Sequence, residues 1–295
     1  MSARIACRLA LASSLVLAAA CGGSTGSVEP EGPPGSGPAS SSGGSGSGTE
    51  DPAGARLTMS LRGSIVPIAH ADAFAGQTPS RQIVAIKSLW LYKSAADPNP
   101  LKVLDLGAKA VETDLVTGAT SDIGTVAMKS LAAGTYTIAK VGAAYVRYSV
   151  ASRMHGTLTA DGRYDNIQAL SDGAVIDGQT RAKGWYRYAF AVGTTTYGVL
   201  EGAAAPLPQL LSGGGISLEA TGPEAFYVFP TSVTIDPDEP RDQRVVCEVN
   251  VHESFRWQDQ DQPGYAAKIY DSTPTTFEPV MAFGASAFSL KLEAK

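Results

Sequence analysis

The chain has 295 residues, of which 44% are hydrophobic and only 17% are charged, with 32 glycines and 18 prolines. Such a chain can bury a core, so disorder of the whole chain is excluded, and its composition favours a turn-rich β protein. The net charge is −5, and no stretch of sequence concentrates lysine and arginine. We therefore expect no nucleic-acid partner.

Residues 1–20 have the three-part layout of a secretory signal. Arg4 and Arg8 carry its charges, an apolar run covers 9–20, and small residues precede Cys21. The apolar run is about 12 residues long, whereas a helix needs roughly 20 to cross a bilayer. We therefore expect residues 1–20 to be cleaved as a signal peptide, which leaves 21 basic and 28 acidic side chains and a net charge of −7.

Two interpretations of Cys21 share the same cleavage site. In the first, the three alanines at 18–20 form an ordinary signal-peptidase site and Cys21 only follows the cut. In the second, the sequence LAAAC at 17–21 resembles the lipobox of bacterial lipoproteins, although Ala18 stands where leucine is commonest. That resemblance implies a diacylglycerol on the Cys21 thiol. A glycine directly after the cysteine, here Gly22, resembles the sequence of lipoproteins that reach the outer membrane. We favour lipidation, because an apolar run ending on a cysteine and followed by a tether suits an anchor.

Residues 22–54 consist mainly of glycine, serine and proline, with a few acids and with no aromatic residue, lysine or arginine. Such a segment buries too little apolar surface to offset the entropy of ordering. The sequence therefore predicts that residues 21–54 are a lipidated cysteine followed by a disordered tether. A flexible coil of this length has a reach of about 30 Å.

Residues 55–295 alternate apolar and polar side chains in short segments, which Gly, Pro, Asp and Asn separate. The pattern predicts an all-β fold, most simply an antiparallel β-sandwich of residues 55–295. An alternative is two packed sandwich subdomains with a boundary near residue 152. The predicted strands cover 56–66, 82–93, 101–106, 135–150, 155–159, 184–192, 196–200, 216–219, 225–235, 244–257 and 287–292.

Residues 82–150 carry a second resemblance. The stretches IVAIKSLWLYK, LKVLDLG and LAAGTYTI are similar to prealbumin-like sandwich domains of unknown function in bacterial surface lipoproteins. In the last stretch, Gly134 turns the chain into a strand and Tyr136 packs a ring at its start. The resemblance implies a β-sandwich and brings no catalytic residues.

The segment 244–257 is the clearest strand, since Val245, Cys247 and Val249 share one face. Cys247 is therefore predicted to be a buried hydrophobic residue rather than a reactive thiol. If Cys21 were not lipidated, counting alone would allow a Cys21–Cys247 disulfide. Glu253 breaks the apolar face, so we expect a bulge or an exit from the core there.

Two groups of side chains are candidates for a site. Alternation places Tyr186 with Tyr188 in the core, but exposed rings at Trp185 and Tyr186 would form a platform for sugars or a partner protein. Asp259 and Asp261 occupy the first and third positions of a calcium-type loop, in which Pro263 replaces the fifth-position ligand. A solvated turn is the alternative there, and we predict neither a metal nor a cofactor.

The remaining chemistry-bearing residues show no local motif. The three histidines lie far apart in sequence, and Ser286, in the stretch GASAF at 284–288, lacks the second glycine of a nucleophile elbow. The leading hypothesis is a non-enzymatic lipoprotein of the cell envelope, anchored to the outer membrane through Cys21, which displays a β-sandwich. One alternative is a surface module that binds envelope glycan or another envelope protein through exposed aromatics or loops. A third is a secreted hydrolase with dispersed carboxylates.

Overall fold

A computed structural model describes residues 54–205, 207 and 215–295. The predicted signal peptide, Cys21 and the tether up to residue 53 lie outside the described residues. In the part described, the chain is almost entirely β, which confirms the predicted fold class, and one short 3₁₀ turn covers Met128–Ser130. The described residues contain no helix with the length and apolar character that crossing a membrane requires.

The strands vary from two residues to 21, and the longest, β7, organises the fold. In chain order the described residues form β1 (Arg56–Ser64), β2 (Ala75–Gln77), β3 (Arg81–Tyr92), β4 (Leu101–Asp105), β5 (Val111–Asp114), β6 (Thr120–Ala127), β7 (Gly134–Met154), β8 (Ala160–Ala169), β9 (Ala174–Ile176), β10 (Gln179–Arg181), β11 (Tyr186–Val192), β12 (Thr195–Gly202), β13 (Ser217–Glu219), β14 (Ala225–Ile235), β15 (Gln243–Asn250), β16 (Phe255–Trp257), β17 (Asp271–Ser272), β18 (Val280–Ala282) and β19 (Ala287–Ala294).

The larger sheet is built around β7. One edge of β7 pairs with β14 along its first half and with β8 along its second half, and the other edge pairs with β3. β8 continues the sheet to β11 and β12, while β3 continues it to β4 and β5. β7 is rich in the β-branched and aromatic residues that favour strands, and most of its side chains are buried.

The smaller sheet has the strand order β19-β15-β1-β6. β1 and β15 run parallel, whereas the other two pairs are antiparallel. The sequence predicted an antiparallel sandwich, and this one parallel pair departs from that prediction. A parallel pair needs a long connection between its strands, and here most of the large sheet lies in sequence between β1 and β15.

Side chains from both sheets fill one continuous core. Leu57, Met59 and Leu61 of β1 belong to the same buried cluster as Val84 of β3 and Val141 of β7. Packing between the sheets is dense, since a void with side chains of both in its lining measures only about 10 Å³. Full burial stabilises each leucine or methionine by about 1.5–3 kcal/mol.

Cys247 on β15 and Tyr136 on β7 are both part of this core. Cys247 is fully buried, and burial raises the pKa of its thiol to about 12, so the prediction of a buried hydrophobic cysteine is confirmed. Tyr136 is 1% exposed. Its hydroxyl donates to the carbonyl of Ala132 at 2.8 Å, which closes the turn before β7.

Two sequence-based strand predictions need correction. Residues 155–159 form the connection between β7 and β8 rather than a strand. Asp161 and Gly162, residue types expected to separate strands, lie inside β8. Acidic side chains in β8 are compensated there by arginines, as in the 2.6 Å contact of Arg153 Nε with Asp161 Oδ1. Residue 152, considered as a domain boundary, lies within β7.

The long strand predicted at 244–257 is interrupted, as expected at Glu253. β15 ends at Asn250 and β16 begins at Phe255. A turn separates them, in which the Ser254 amide donates to the carbonyl of Val251 at 3.2 Å. Glu253 has a φ of +45°, in the left-handed region that non-glycine residues seldom adopt. The apolar face therefore resumes in β16 after a change of direction.

Candidate functional site

The sequence-predicted ring Trp185 is packed rather than presented to solvent. It is 9% exposed, its Nε1 donates to Glu201 Oε1 at 3.0 Å, and the Arg181 guanidinium lies 4.0 Å from the ring centroid. The neighbouring Tyr186 is half-buried, and its ring centroid lies 4.7 Å from that of Tyr188. Trp185 is therefore packed against Arg181 and Glu201, whereas Tyr188 of β11 lines a cavity.

This cavity measures about 420 Å³ and is here called the tyrosine pocket. Its volume lies within the range of about 300–1,000 Å³ typical of small-molecule sites. Seven aromatic rings line it, together with Asn166, Glu278 and a few small or aliphatic side chains. The rings are Tyr148, Tyr164, Tyr188, Phe255, Tyr270, Phe277 and Phe283.

The floor of the tyrosine pocket is one row across four strands. Tyr148 of β7 is paired with Asn166 of β8, Asn166 with Tyr188 of β11, and Tyr188 with Leu200 of β12. Paired residues of neighbouring strands point to the same face of a sheet. Strand register therefore fixes the spacing of the two phenol rings and the carboxamide between them.

The roof comes from the chain between β17 and β18. Phe277 remains 39% exposed at the rim and packs edge-to-face on Tyr164, with ring centroids 5.5 Å apart. Deeper in the pocket, Tyr270 and Phe255 are edge-to-face at 4.9 Å. The rings thus support one another and leave a space between the floor and the roof.

Several polar groups in the tyrosine pocket lack a hydrogen-bond partner among the described residues. The hydroxyls of Tyr148, Tyr188 and Tyr270 and the carboxamide of Asn166 make no hydrogen bond to any described residue, unlike the Tyr164 hydroxyl, which lies 2.9 Å from Ser272 Oγ. Burial raises the pKa of the Tyr188 hydroxyl to about 12 and that of Tyr148 well above 10.0. These phenols are therefore neutral near pH 7, so each can donate and accept a hydrogen bond.

Among the described residues that line the pocket, Glu278 is the single acidic side chain, and none is a lysine, arginine or histidine. It is 1% exposed, and its two oxygens accept from the amides of Gln260 at 2.7 Å and Asp271 at 2.8 Å. Burial raises the pKa of this carboxyl above its usual 4.5. The pocket is therefore apolar with neutral hydrogen-bonding groups, and it offers nothing to neutralise an anion.

Comparisons of this chain with protein-family models, curated proteins and solved structures found no match. Function is therefore inferred from side-chain chemistry in the site rather than from analogy. The sequence predicted the rings at 186 and 188 as core. It could not predict the pocket, because the lining comes from strands and loops that are distant in sequence.

The two aspartates considered as calcium ligands, Asp259 and Asp261, have different surroundings. Asp259 Oδ2 accepts from the Lys268 amide at 2.7 Å, and its Oδ1 accepts from Trp257 Nε1 at 3.3 Å, whereas Asp261 is exposed. Neither belongs to a group of three metal-ligating side chains among the described residues. Asp259 holds the 259–268 loop together through these hydrogen bonds.

A histidine–aspartate pair lies on the connection after β7. His155 Nε2 is 2.7 Å from Asp271 Oδ1, and Asp271 is fully buried, with its other oxygen accepting from the Ala266 amide at 2.9 Å. The other ring nitrogen lies 3.5 Å from Thr159 Oγ1, which exceeds the roughly 2.6–3.2 Å of a catalytic contact. The pair joins β17 to the end of β7, so its geometry fits a structural role.

A second groove lies on the outer face of the large sheet and measures about 530 Å³. The sequence showed no basic stripe, but pairing of the strands gathers four arginines there, at 81, 147, 163 and 187. Arg147 is bound by Asp177 at 2.8 Å, and Arg163 by Asp165 at 3.0 Å. Much of the positive charge is therefore neutralised within the protein.

Proposed function

We propose that this protein is a cell-envelope lipoprotein, anchored through Cys21, whose β-sandwich binds a neutral glycan in the tyrosine pocket. The observation that carries the proposal is the set of unpartnered phenol and carboxamide groups at Tyr148, Asn166, Tyr188 and Tyr270 between aromatic rings. Aromatic faces and neutral hydrogen-bonding groups suit a sugar ring, which has an apolar face and an edge of hydroxyls.

A neutral ligand is favoured over a charged one. An anion would lose its hydration in a lining that holds a buried carboxyl group at Glu278 and, among the described residues, no cationic side chain. A cation would contact the ring faces, but it would leave the phenol hydroxyls and the Asn166 carboxamide unpaired. A polyhydroxyl ligand satisfies both kinds of group.

Binding is favoured over hydrolysis. Glycosidases generally place two carboxyl groups across the scissile bond, about 5–9.5 Å apart. The described lining of the tyrosine pocket contains Glu278 alone, and both of its oxygens already accept backbone hydrogen bonds. A non-enzymatic role is accordingly part of the proposal.

The anchor is supported by the sequence alone, through the apolar run that ends on Cys21 and the tether that follows it. A tether with a reach of about 30 Å would let the sandwich sample glycan near an outer-membrane surface. The binding site and the anchor are independent parts of the proposal, and each has its own test.

The binding test is calorimetric titration of the purified protein with maltotriose, cellotriose and tri-N-acetylchitotriose, and with trigalacturonate as the anionic control. We expect heat from at least one neutral trisaccharide and none from trigalacturonate. Heat from the anion alone, or from choline alone among added ligands, would contradict the assignment. For the anchor, Cys21→Ser expressed in a Gram-negative host should move the protein from the detergent phase to the aqueous phase, and an unchanged distribution would refute lipidation.

A further inference from the structure

Two histidines and a glutamate from distant parts of the chain meet beside the β2–β16 pair. His70 lies in the segment between β1 and β2, and His252 and Glu253 form the turn between β15 and β16. One nitrogen of each ring and one carboxylate oxygen all lie within 4.8 Å of one another. His70 Nε2 is 3.9 Å from Glu253 Oε2. None of the three lines the tyrosine pocket.

The backbone of the turn brings adjacent side chains to one side. Consecutive residues of a regular strand point to opposite faces, so His252 and Glu253 could not share a ligand if β15 continued. The left-handed conformation of Glu253, with a φ of +45°, removes this restriction. Backbone strain of this kind persists where the surroundings fix it; here the Glu253 amide donates to Thr78 Oγ1 at 2.9 Å.

His70 has a buried nitrogen with no partner. Its side chain is 9% exposed, and Nε2 is shielded from solvent without a hydrogen bond to any described residue. The His252 ring is stacked alongside, with centroids 6.2 Å apart and an angle of 18° between the rings, and its Nδ1 accepts from the Ile68 amide at 3.4 Å. Neither contact supplies a hydrogen bond to His70 Nε2. An orphaned ring nitrogen within 4.8 Å of a second imidazole nitrogen and a carboxylate oxygen is the arrangement a metal ion would satisfy.

The charge around the cluster also favours a cation. Arg256, whose side chain is 4% exposed, donates to Glu253 Oε2 at 2.9 Å and also pairs with Asp72. Two carboxylates thus share one guanidinium, and one negative charge is left for a bound cation. The same arginine donates to the carbonyl of Phe74 at 2.8 Å, so it fixes the position of the Glu253 carboxylate as an outer-shell group does in metal sites.

We propose that His70, His252 and Glu253 bind a divalent transition metal of the zinc class. Two imidazoles with one carboxylate are a ligand set of three-ligand zinc sites, in which a fourth position stays open. Ligands in a tetrahedral zinc site are about 3.4 Å apart, whereas His70 Nε2 and Glu253 Oε2 are 3.9 Å apart and the three ligand atoms lie within 4.8 Å of one another, so metal binding requires the side chains to move closer together. The metal would join the 65–74 segment to the turn before β16.

The test uses the untagged full chain, stripped with a chelator and titrated with Zn²⁺ by calorimetry and with Co²⁺ by visible absorption. We expect one equivalent of metal and a Co²⁺ spectrum of low coordination number. His70→Ala and His252→Gln should each weaken binding at least tenfold. His155→Gln is the matched control, since it removes the remaining histidine while glutamine can still donate to Asp271.

Equal affinity in the unmodified chain and in both cluster variants would overturn the proposal, as would the absence of any Zn²⁺ or Co²⁺ binding by the folded, unmodified chain. Loss of binding in His155→Gln but not in His252→Gln would also overturn it, because the metal would then lie at the other histidine. If His70→Ala fails to fold, His252→Gln and the Co²⁺ spectrum of the unmodified chain decide the outcome.

Discussion

Substitutions of two tyrosines in the tyrosine pocket should affect ligand affinity and folding stability separately. The Tyr148 hydroxyl has no hydrogen-bond partner among the described residues, whereas the Tyr164 hydroxyl is buried and bonded to Ser272 Oγ at 2.9 Å. Both rings line the cavity. Replacing either residue by phenylalanine removes one oxygen and keeps the ring, so the two variants are matched in chemistry and differ in what the oxygen contacts.

We expect Tyr148→Phe to weaken glycan binding with little effect on stability. A typical net hydrogen bond contributes about 0.5–1.5 kcal/mol, which corresponds to a roughly 2- to 12-fold loss of affinity at 1.4 kcal/mol per tenfold. Its free energy of unfolding should stay within about 0.5 kcal/mol of the unmodified protein, because no protein contact is lost. Tyr164→Phe should instead lose about 1 kcal/mol of stability and retain its affinity.

The assays are calorimetric titration with the trisaccharide that binds the unmodified protein and urea denaturation followed by tryptophan fluorescence. The reasoning is refuted if Tyr148→Phe binds as tightly as the unmodified protein, or if the two variants lose stability equally. The first result would mean that the Tyr148 hydroxyl does not contact the ligand, and the second that it has a hydrogen-bond partner within the protein.

Three further predictions concern the fold and its titration. Gly63→Ala should destabilise the protein by about 3 kcal/mol, because a Cβ there would lie 1.8 Å from the backbone oxygen of Leu115, whereas Gly198→Ala, with nothing within 4 Å, should be neutral in the same urea denaturation. The Cys247 thiol, fully buried with a pKa of about 12, should react with a thiol reagent at pH 8 only after unfolding, and rapid labelling of the native protein would contradict its placement. Burial raises the pKa of Glu278 above 4.5, so the protonated carboxyl contributes stability below pH 4.5, and this contribution is lost as pH rises through the folded pKa. The stability of the unmodified protein relative to Glu278→Gln should therefore fall between pH 4 and 7. A pH-independent difference would count against a raised pKa.

The apolar pattern was sufficient to predict the all-β class and the positions of β3, β14 and β15. β14 and β15 each bury one apolar face, and β3 is buried throughout residues 82–89. The pattern failed for β8, whose first half reads as polar, with Asp161 and Asp165 facing arginines of β7 and of β8 itself. Such a strand is stabilised by neighbours on both edges. Those neighbours are tertiary information that local periodicity does not contain.

The sites were harder to predict than the fold for a similar reason. Trp185 and Tyr186 stood out as adjacent rings, but Trp185 is covered by Arg181, while the pocket combines Tyr188, which alternation assigned to the core, with rings from distant segments. His70 and His252 are separated by most of the chain, so no spacing rule connects them. Of the features of this cluster, only the strained turn was indicated by the sequence, because Glu253 is a charged residue on an apolar face.

The central claim is that a neutral sugar occupies the tyrosine pocket. A crystal structure of the protein soaked with the trisaccharide that binds in solution tests it most directly. The account predicts sugar density stacked between Tyr188 and Phe277, with hydroxyls within hydrogen-bond distance of Tyr148 and Asn166. Sugar bound elsewhere on the protein, with this pocket holding only solvent, would contradict it.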